Sequence, residues 1–176
     1  RLGSNSKKTT SRTTIASSTH HLANQDNKPL RLNEISGTEA PRINMNDGEL
    51  NRVLGGGLVR GSITLLGGEP GIGKSTLTMQ TLLSLSHLKV LYVSGEESAY
   101  QLKMRAERLS KGLKDTSIDH DNLIILCETS LETIFEQIID IQPELIIIDS
   151  IQTISTEQVE SSPGSITQVR ECSSQL

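Results

Sequence analysis

The sequence predicts an α/β domain with a mostly parallel sheet between helices, and three observations carry that prediction. Short apolar or β-branched runs alternate with segments of helical period, in the order β-α-β-α-β-α-β. The last run, Leu145-Ile146-Ile147-Ile148, is apolar without interruption, as expected of a strand covered on both faces. The first run ends in Gly67-Gly68, and a helical pattern follows the next few residues, so strand, glycine loop and helix succeed one another. No internal repeat is visible.

Residues 1–30 are rich in Ser, Thr, Asn and Lys and show almost no apolar periodicity. Such a segment buries too little surface to offset its ordering entropy, so residues 1–29 are expected to form a disordered basic linker. His20 and His21 have no neighbouring Cys or carboxylate partners and read as a solvated linker pair. The α/β domain is expected over residues 30–176, as part of something longer, because the chain stops within a helical pattern.

Within that domain, Pro41-Arg42-Ile43-Asn44 reads as an extended approach. Asp47 is suited to cap a short helix over residues 48–54, and Gly55-Gly56-Gly57 stops it. Residues 62–66 read as the first strand. Residues 74–87 read as a buried helix through Leu77, Met79, Leu82, Leu83 and Leu85. Residues 89–93 read as a second strand and residues 97–110 as a helix with Tyr100, Met104 and Leu109 in the core. Residues 122–126 form the third predicted strand. Ser130 caps a helix running to Ile141, with Ile134, Phe135, Ile138 and Ile139 inward and Glu132 and Glu136 outward. Pro143 ends it, and residues 145–149 close the series.

Composition excludes several classes. The 176 residues carry a net charge of −4. Residues 1–30 contribute +4 of this, leaving −8 on the remainder. An all-basic nucleic-acid module is therefore excluded, since phosphate neutralisation needs clustered Lys and Arg. Trp is absent and the aromatics are Tyr92, Tyr100 and Phe135, which is too few for a base-stacking platform. Cys127 and Cys172 have neither zinc-ligand spacing nor the makings of a disulfide framework, and read as reduced thiols. No apolar run approaches the roughly 20 residues of a membrane span. Lys103, Arg105, Arg108, Lys111 and Lys114 make one helix basic, and Glu107 interrupts the stripe. This reads as a solvated face rather than a DNA or partner patch.

The chemistry-bearing signal is Gly68-Glu69-Pro70-Gly71-Ile72-Gly73-Lys74-Ser75, which matches G-x-x-x-x-G-K-[ST] at every position. Glycines let the backbone aim its N–H groups at a phosphate, and the helix that follows presents its positive end to the same anion. In this pattern Lys74 reaches the β- and γ-phosphates, the Ser75 hydroxyl ligates Mg²⁺, and Thr76 completes the loop exit. Asp149 ends the last strand, at the sheet edge where open parallel sheets bind ligands, and is placed to hold Mg²⁺ through water. Ser150 is expected to add a hydrogen bond there. Glu96 follows the second strand and is read as the carboxylate that orients the attacking water. Glu97 is read as favouring the next helix N-terminus, with the reverse assignment of the two left open.

These residues resemble the ATPase core of the bacterial RadA/Sms DNA repair family, which is related to RecA and to the DnaB replicative helicase. The resemblance covers roughly residues 28–176. It is carried by Pro41-Arg42-Ile43, by Gly48-Glu49-Leu50-Asn51-Arg52-Val53-Leu54-Gly55-Gly56-Gly57, by the glycine loop, and by Tyr92-Val93-Ser94-Gly95-Glu96-Glu97-Ser98. Residues 145–153, Pro163-Gly164-Ser165 and Gln168-Val169-Arg170-Glu171-Cys172 add to it. It implies a RecA-like P-loop NTPase core, with ATP and Mg²⁺ as cofactors and DNA-dependent ATP hydrolysis in the intact protein. It also implies a cytoplasmic homo-hexameric ring acting on single-stranded or branched DNA in branch migration, with a recombinase as a possible partner. Lys74, Ser75, Glu96 and Asp149 match the family's nucleotide-site positions, and residues 152–163 match a DNA-facing loop of RecA relatives.

Three family features do not occur in this sequence: a four-cysteine zinc module, the Lys-Asn-Arg-Phe-Gly motif, and a domain resembling the Lon protease. In the RecA-like order a further strand separates the strands of residues 62–66 and 145–149. That strand is expected past Leu176, which would leave the sheet incomplete. The alternative functions are a non-hydrolysing ATP-binding assembly module and a DnaB- or KaiC-like ATPase on the same core.

Overall fold

The computed structural model describes residues 29, 31–34, 40–112 and 121–176. The chain divides into two compact units, Arg1–Glu39 and Ala40–Leu176. In the first, a single 3-10 turn at Leu32–Glu34 is described, with the Arg31 backbone N–H donating to Glu34 Oε2 at 3.0 Å. The expected linker, His20 and His21 included, lies outside the described residues apart from Pro29.

The second unit opens with a two-stranded antiparallel ribbon. Strand β1 (Arg42–Ile43) pairs with β2 (Leu58–Val59), and helix α1 (Gly48–Val53) lies between them in sequence. Asp47 caps α1 as expected, its side chain accepting from the Leu50 N–H at 2.7 Å. Gly57 is required where the ribbon closes. Its φ is +129°, and a Cβ there would run into the Ile43 carbonyl.

The main sheet is parallel, in the order β4-β3-β5, with β3 at Val90–Ser94, β4 at Leu123–Cys127 and β5 at Leu145–Asp149. Helices α2 (Lys74–Leu83), α3 (Ala99–Ser110), α4 (Leu131–Ile141) and α5 (Ile166–Gln175) complete the unit. Period-2 alternation divides the core between the two faces of the sheet. Val90, Tyr92 and Leu145 pack with Met79, Leu82 and Leu83 of α2 and Leu102 of α3. Leu91 and Val93 pack with Leu131 and Ile134 of α4, Ile154, and Cys172 of α5. The fold is therefore α/β and consistent with a RecA-like P-loop core.

Several local expectations are corrected. Residues 62–66 form no strand. They are exposed, with Ile63 at 72% and Leu65 at 84%, and pair with no described strand. Strand hydrogen bonding needs an adjacent edge, and residues 62–66 lie beside none: β3 has neighbours on both sides, and the outer edges of β4 and β5 stay unpaired among the described residues. The unpaired edge of β5 explains why the central strand β3 is buried at every position while only Leu145 of the apolar β5 is. Helix α2 stops at Leu83 rather than reaching His87, and Leu77 faces out. On α3 the buried residue is Leu102, while Tyr100 and Met104 are exposed. On α4 Ile139 is exposed, at the margin of the stripe that buries Leu131 and Ile134.

Candidate functional site

Helix α2 begins differently from the other α-helices. Asp47, Ser98, Ser130 and Ser165 each cap theirs with a side-chain oxygen. At α2 the N-cap is Gly73, with φ +101° and no side-chain cap. The first N–H groups of α2 thus have no side-chain acceptor and point into the loop, the arrangement that receives an anion. Gly71, also at positive φ, turns the loop. Lys74 folds back over it, with Nζ donating to the carbonyls of Gly68 at 2.7 Å and Glu69 at 2.9 Å. Gly68, Glu69, Pro70, Gly71, Ile72, Gly73 and Thr76 are exposed, while Lys74 and Ser75 are half-buried.

The second part of the site is the carboxyl edge of the sheet. Register places Ser94 opposite both Asp149 and Cys127. The Gly95 N–H donates to the Asp149 carbonyl at 3.3 Å, which holds the β3 exit against β5. Gly95 has no room for a side chain, since a Cβ there would fall 2.5 Å from Thr153 Cβ. This close approach brings Glu96 over the end of β5, where the Ser150 hydroxyl donates to Glu96 Oε1 at 3.2 Å. Ser150 is thus in the expected neighbourhood, with Glu96 as its acceptor. Asp149 Oδ2 accepts from the Tyr92 hydroxyl at 2.5 Å. Burial first, and the bond to Asp149 second, push the Tyr92 hydroxyl far above its ordinary pKa, so it remains a donor.

Glu97 does not cap α3. Ser98 does, in a capping box with Gln101. The Glu97 carboxylate instead pairs with Arg105 at 2.6 Å. Arg105, read from sequence as part of a solvated face, is 20% exposed, and its Nη1 is buried without a hydrogen-bond partner. Of the two neighbouring glutamates, Glu96 is the one that meets Ser150, while Glu97 is held by Arg105. No hydrogen bond among the described residues joins the glycine loop to Glu96 or Asp149.

Two residues were missed by sequence reasoning. Tyr92 was legible as a hydroxyl inside an apolar strand, which needs a partner. Gln168 is 2% exposed and organises the segment after β5. Its Oε1 accepts from the Thr156 N–H at 3.0 Å, and its amide nitrogen lies 3.1 Å from the carbonyls of Thr156, Val159 and Ser161. The signal was Ser165-Ile166-Thr167-Gln168, a capping-box pattern whose glutamine reaches into the loop instead. Glu132 adds to this anchor, accepting from the Thr156 hydroxyl at 2.6 Å and the Glu157 N–H at 3.1 Å. The Thr156 hydroxyl is the main cause of a Glu132 pKa below the usual carboxylate value.

Oxygen donors such as the Ser75 hydroxyl and the Asp149 carboxylate suit a hard cation. Among the described residues no three His, Cys, Asp or Glu side chains gather into a metal cage. Mg²⁺ takes oxygen ligands and is commonly held by one or two carboxylates with phosphate oxygens and waters, so the hydroxyl and carboxylate oxygens of Ser75 and Asp149 are of the type it takes.

Fold and loop together define a RecA-like P-loop NTPase core. A family model described as an AAA domain matches residues 27–175, and the chain belongs to that family. It is also similar to proteins named DNA repair protein RadA. The one from Pseudomonas aeruginosa is 51% identical over 146 residues, 82% of this chain and 31% of the relative. The one from Bacillus subtilis is 46% identical over 158 residues, 89% of this chain and 33% of the relative. The Streptococcus pneumoniae protein is 45% identical over 156 residues, 88% and 36% respectively. The chain spans about a third of the length of these relatives. No helix among the described residues is long and apolar enough to cross a membrane.

Proposed function

We propose that this chain is the nucleotide-binding core of a DNA repair and recombination ATPase, binding and hydrolysing ATP with Mg²⁺ in a DNA-dependent manner. The observation that carries the reading is the helix α2 N-terminus. It has no side-chain cap and stands behind a complete G-x-x-x-x-G-K-S loop whose lysine, among the described residues, donates to the loop carbonyls of Gly68 and Glu69. In this reading the backbone of residues 68–73 and the α2 N-terminus hold the phosphates. Lys74 exchanges its carbonyl partners for phosphate oxygens, and Ser75 and Asp149 hold Mg²⁺, Asp149 through water. When bound, Mg²⁺ neutralises charge that develops on the phosphate oxygens. Glu96 orients the attacking water, and Ser150 holds that carboxylate in place.

The similarity to proteins named for DNA repair supports the biological setting. The core is assigned to residues 30–176, and residues 1–29 to a basic linker. The acidic balance of the core implies that DNA is gripped by an assembly of several copies, a homo-hexameric ring in this reading. That ring would act in the cytoplasm on single-stranded or branched DNA, alongside a recombinase. The test is ATP turnover by the intact protein with and without single-stranded DNA. Lys74→Ala is expected to lower turnover at least about 100-fold, as loss of a charged donor in such sites does. Undiminished turnover in that variant would overturn the reading.

A further inference from the structure

Tyr92 is the one polar-tipped side chain at the middle of β3, the strand buried at every position. Its ring belongs to the core between the sheet and α2, a place that Phe would fill equally well. The hydroxyl is what distinguishes it. Position 92 stands opposite Ile147 of β5, so Asp149 is its diagonal neighbour on the same face of the sheet. A long side chain bridges such a diagonal, and the Tyr92 hydroxyl reaches Asp149 Oδ2 at 2.5 Å. Among the described residues Oδ1 accepts no hydrogen bond.

We propose that Tyr92 is a positioning residue for the metal-site carboxylate: by holding Oδ2 it fixes the Asp149 carboxylate plane and leaves Oδ1 for the hydration shell of Mg²⁺. The terminal torsion of an aspartate is broad. Without the hydroxyl, the carboxylate turns freely at the sheet edge and must be ordered each time the cation arrives. Donors behind a ligating group commonly change metal affinity by about 10- to 100-fold. A carboxylate acting through water belongs at the lower end of that range.

The inference rests on the reading of Asp149 as a metal-site carboxylate, and the experiment separates the two. Binding of N-methylanthraniloyl-ADP to the intact protein is titrated with Mg²⁺, and separately measured in EDTA, for wild type, Tyr92→Phe and Asp149→Asn. The expected result is that Tyr92→Phe raises the half-saturating Mg²⁺ concentration about tenfold. Affinity in EDTA is expected to stay unchanged, and the melting temperature to stay within about 2 °C. An unchanged Mg²⁺ requirement in Tyr92→Phe, with a raised one in Asp149→Asn, overturns the role of Tyr92 and leaves Asp149 in place. An unchanged requirement in Asp149→Asn overturns both. Equal loss of affinity with and without Mg²⁺, or loss of cooperative unfolding in Tyr92→Phe, shows a structural hydroxyl and overturns the proposal.

Discussion

Arg105 and Glu97 form an ion pair of 2.6 Å, with the two side chains 20% and 24% exposed. The pair ties the residue before the α3 N-cap to the second turn of that helix. Glu97→Ala is expected to destabilise the protein by about 1–3 kcal/mol, because it leaves the largely covered Arg105 guanidinium without its carboxylate. Glu96→Ala is expected to leave the melting temperature nearly unchanged while abolishing turnover. Thermal melts and ATPase rates on the two variants check this. The opposite pattern would exchange the two roles.

Gly95 and Gly48 make opposite predictions for the same substitution. A Cβ at Gly95 meets the Thr153 side chain, and it lies 3.1 Å from Thr129 Cγ2. Gly95→Ala therefore costs about 1–3 kcal/mol through forced displacement at the sheet edge. Gly48 opens α1 with nothing within 4 Å of a Cβ. Gly48→Ala is expected to be neutral or to stabilise by about 0.5 kcal/mol through the unfolded chain. Denaturant titration of both variants gives the comparison.

Gln168→Ala removes one carbonyl acceptor and one NH2 donor from a buried loop, leaving the Thr156 N–H and the Thr156 and Ser161 carbonyls without that partner, while the Val159 carbonyl keeps the Ser161 N–H. The cost is about 1–3 kcal/mol, concentrated in residues 156–161. Amide hydrogen exchange is expected to accelerate there, while β3 and β5 stay protected. Unchanged exchange in the loop would contradict the anchoring role.

Glu132 gives a pH dependence of known sign. Its folded pKa is depressed, first by the Thr156 hydroxyl, so it binds a proton less readily folded than unfolded. Its contribution is present above the ordinary carboxylate range and disappears as pH falls through the lower folded value. Glu128 acts in the same direction, lowered by the backbone N–H groups of Ser130 and then Thr129. Melting temperatures measured from neutral to strongly acidic pH are expected to fall less steeply in Glu132→Gln than in wild type. A parallel fall would remove Glu132 from the account.

The local signals were accurate where a short-range rule sets the structure. Asp47 and Ser130 cap the helices expected of them, and residues 145–149 form the expected strand. The glycine loop lies between residues 62–66 and α2 as read. Local composition is not enough where a neighbour decides the outcome. Residues 62–66 have the composition of a strand, but hydrogen bonding needs an adjacent edge, and none is paired to them. Tyr100 and Met104 are apolar enough for a core, but the rotation of α3 turns Leu102 inward instead.

Consecutive residues alone were enough for the strand–helix alternation from β3 to β5, the glycine loop with Lys74 and Ser75, and the placing of Glu96 and Asp149 after strand ends. These depend on periodicity, capping and glycine's freedom at positive φ, which are properties of a few consecutive residues. Long-range packing set the rest: Glu96 meets Ser150 while Glu97 pairs with Arg105, Tyr92 holds Asp149, and Gln168 binds the loop after β5. Those outcomes depend on register between strands and on the burial of polar groups far apart in the chain. A buried hydroxyl, guanidinium or amide must find whichever partner the packing brings within reach.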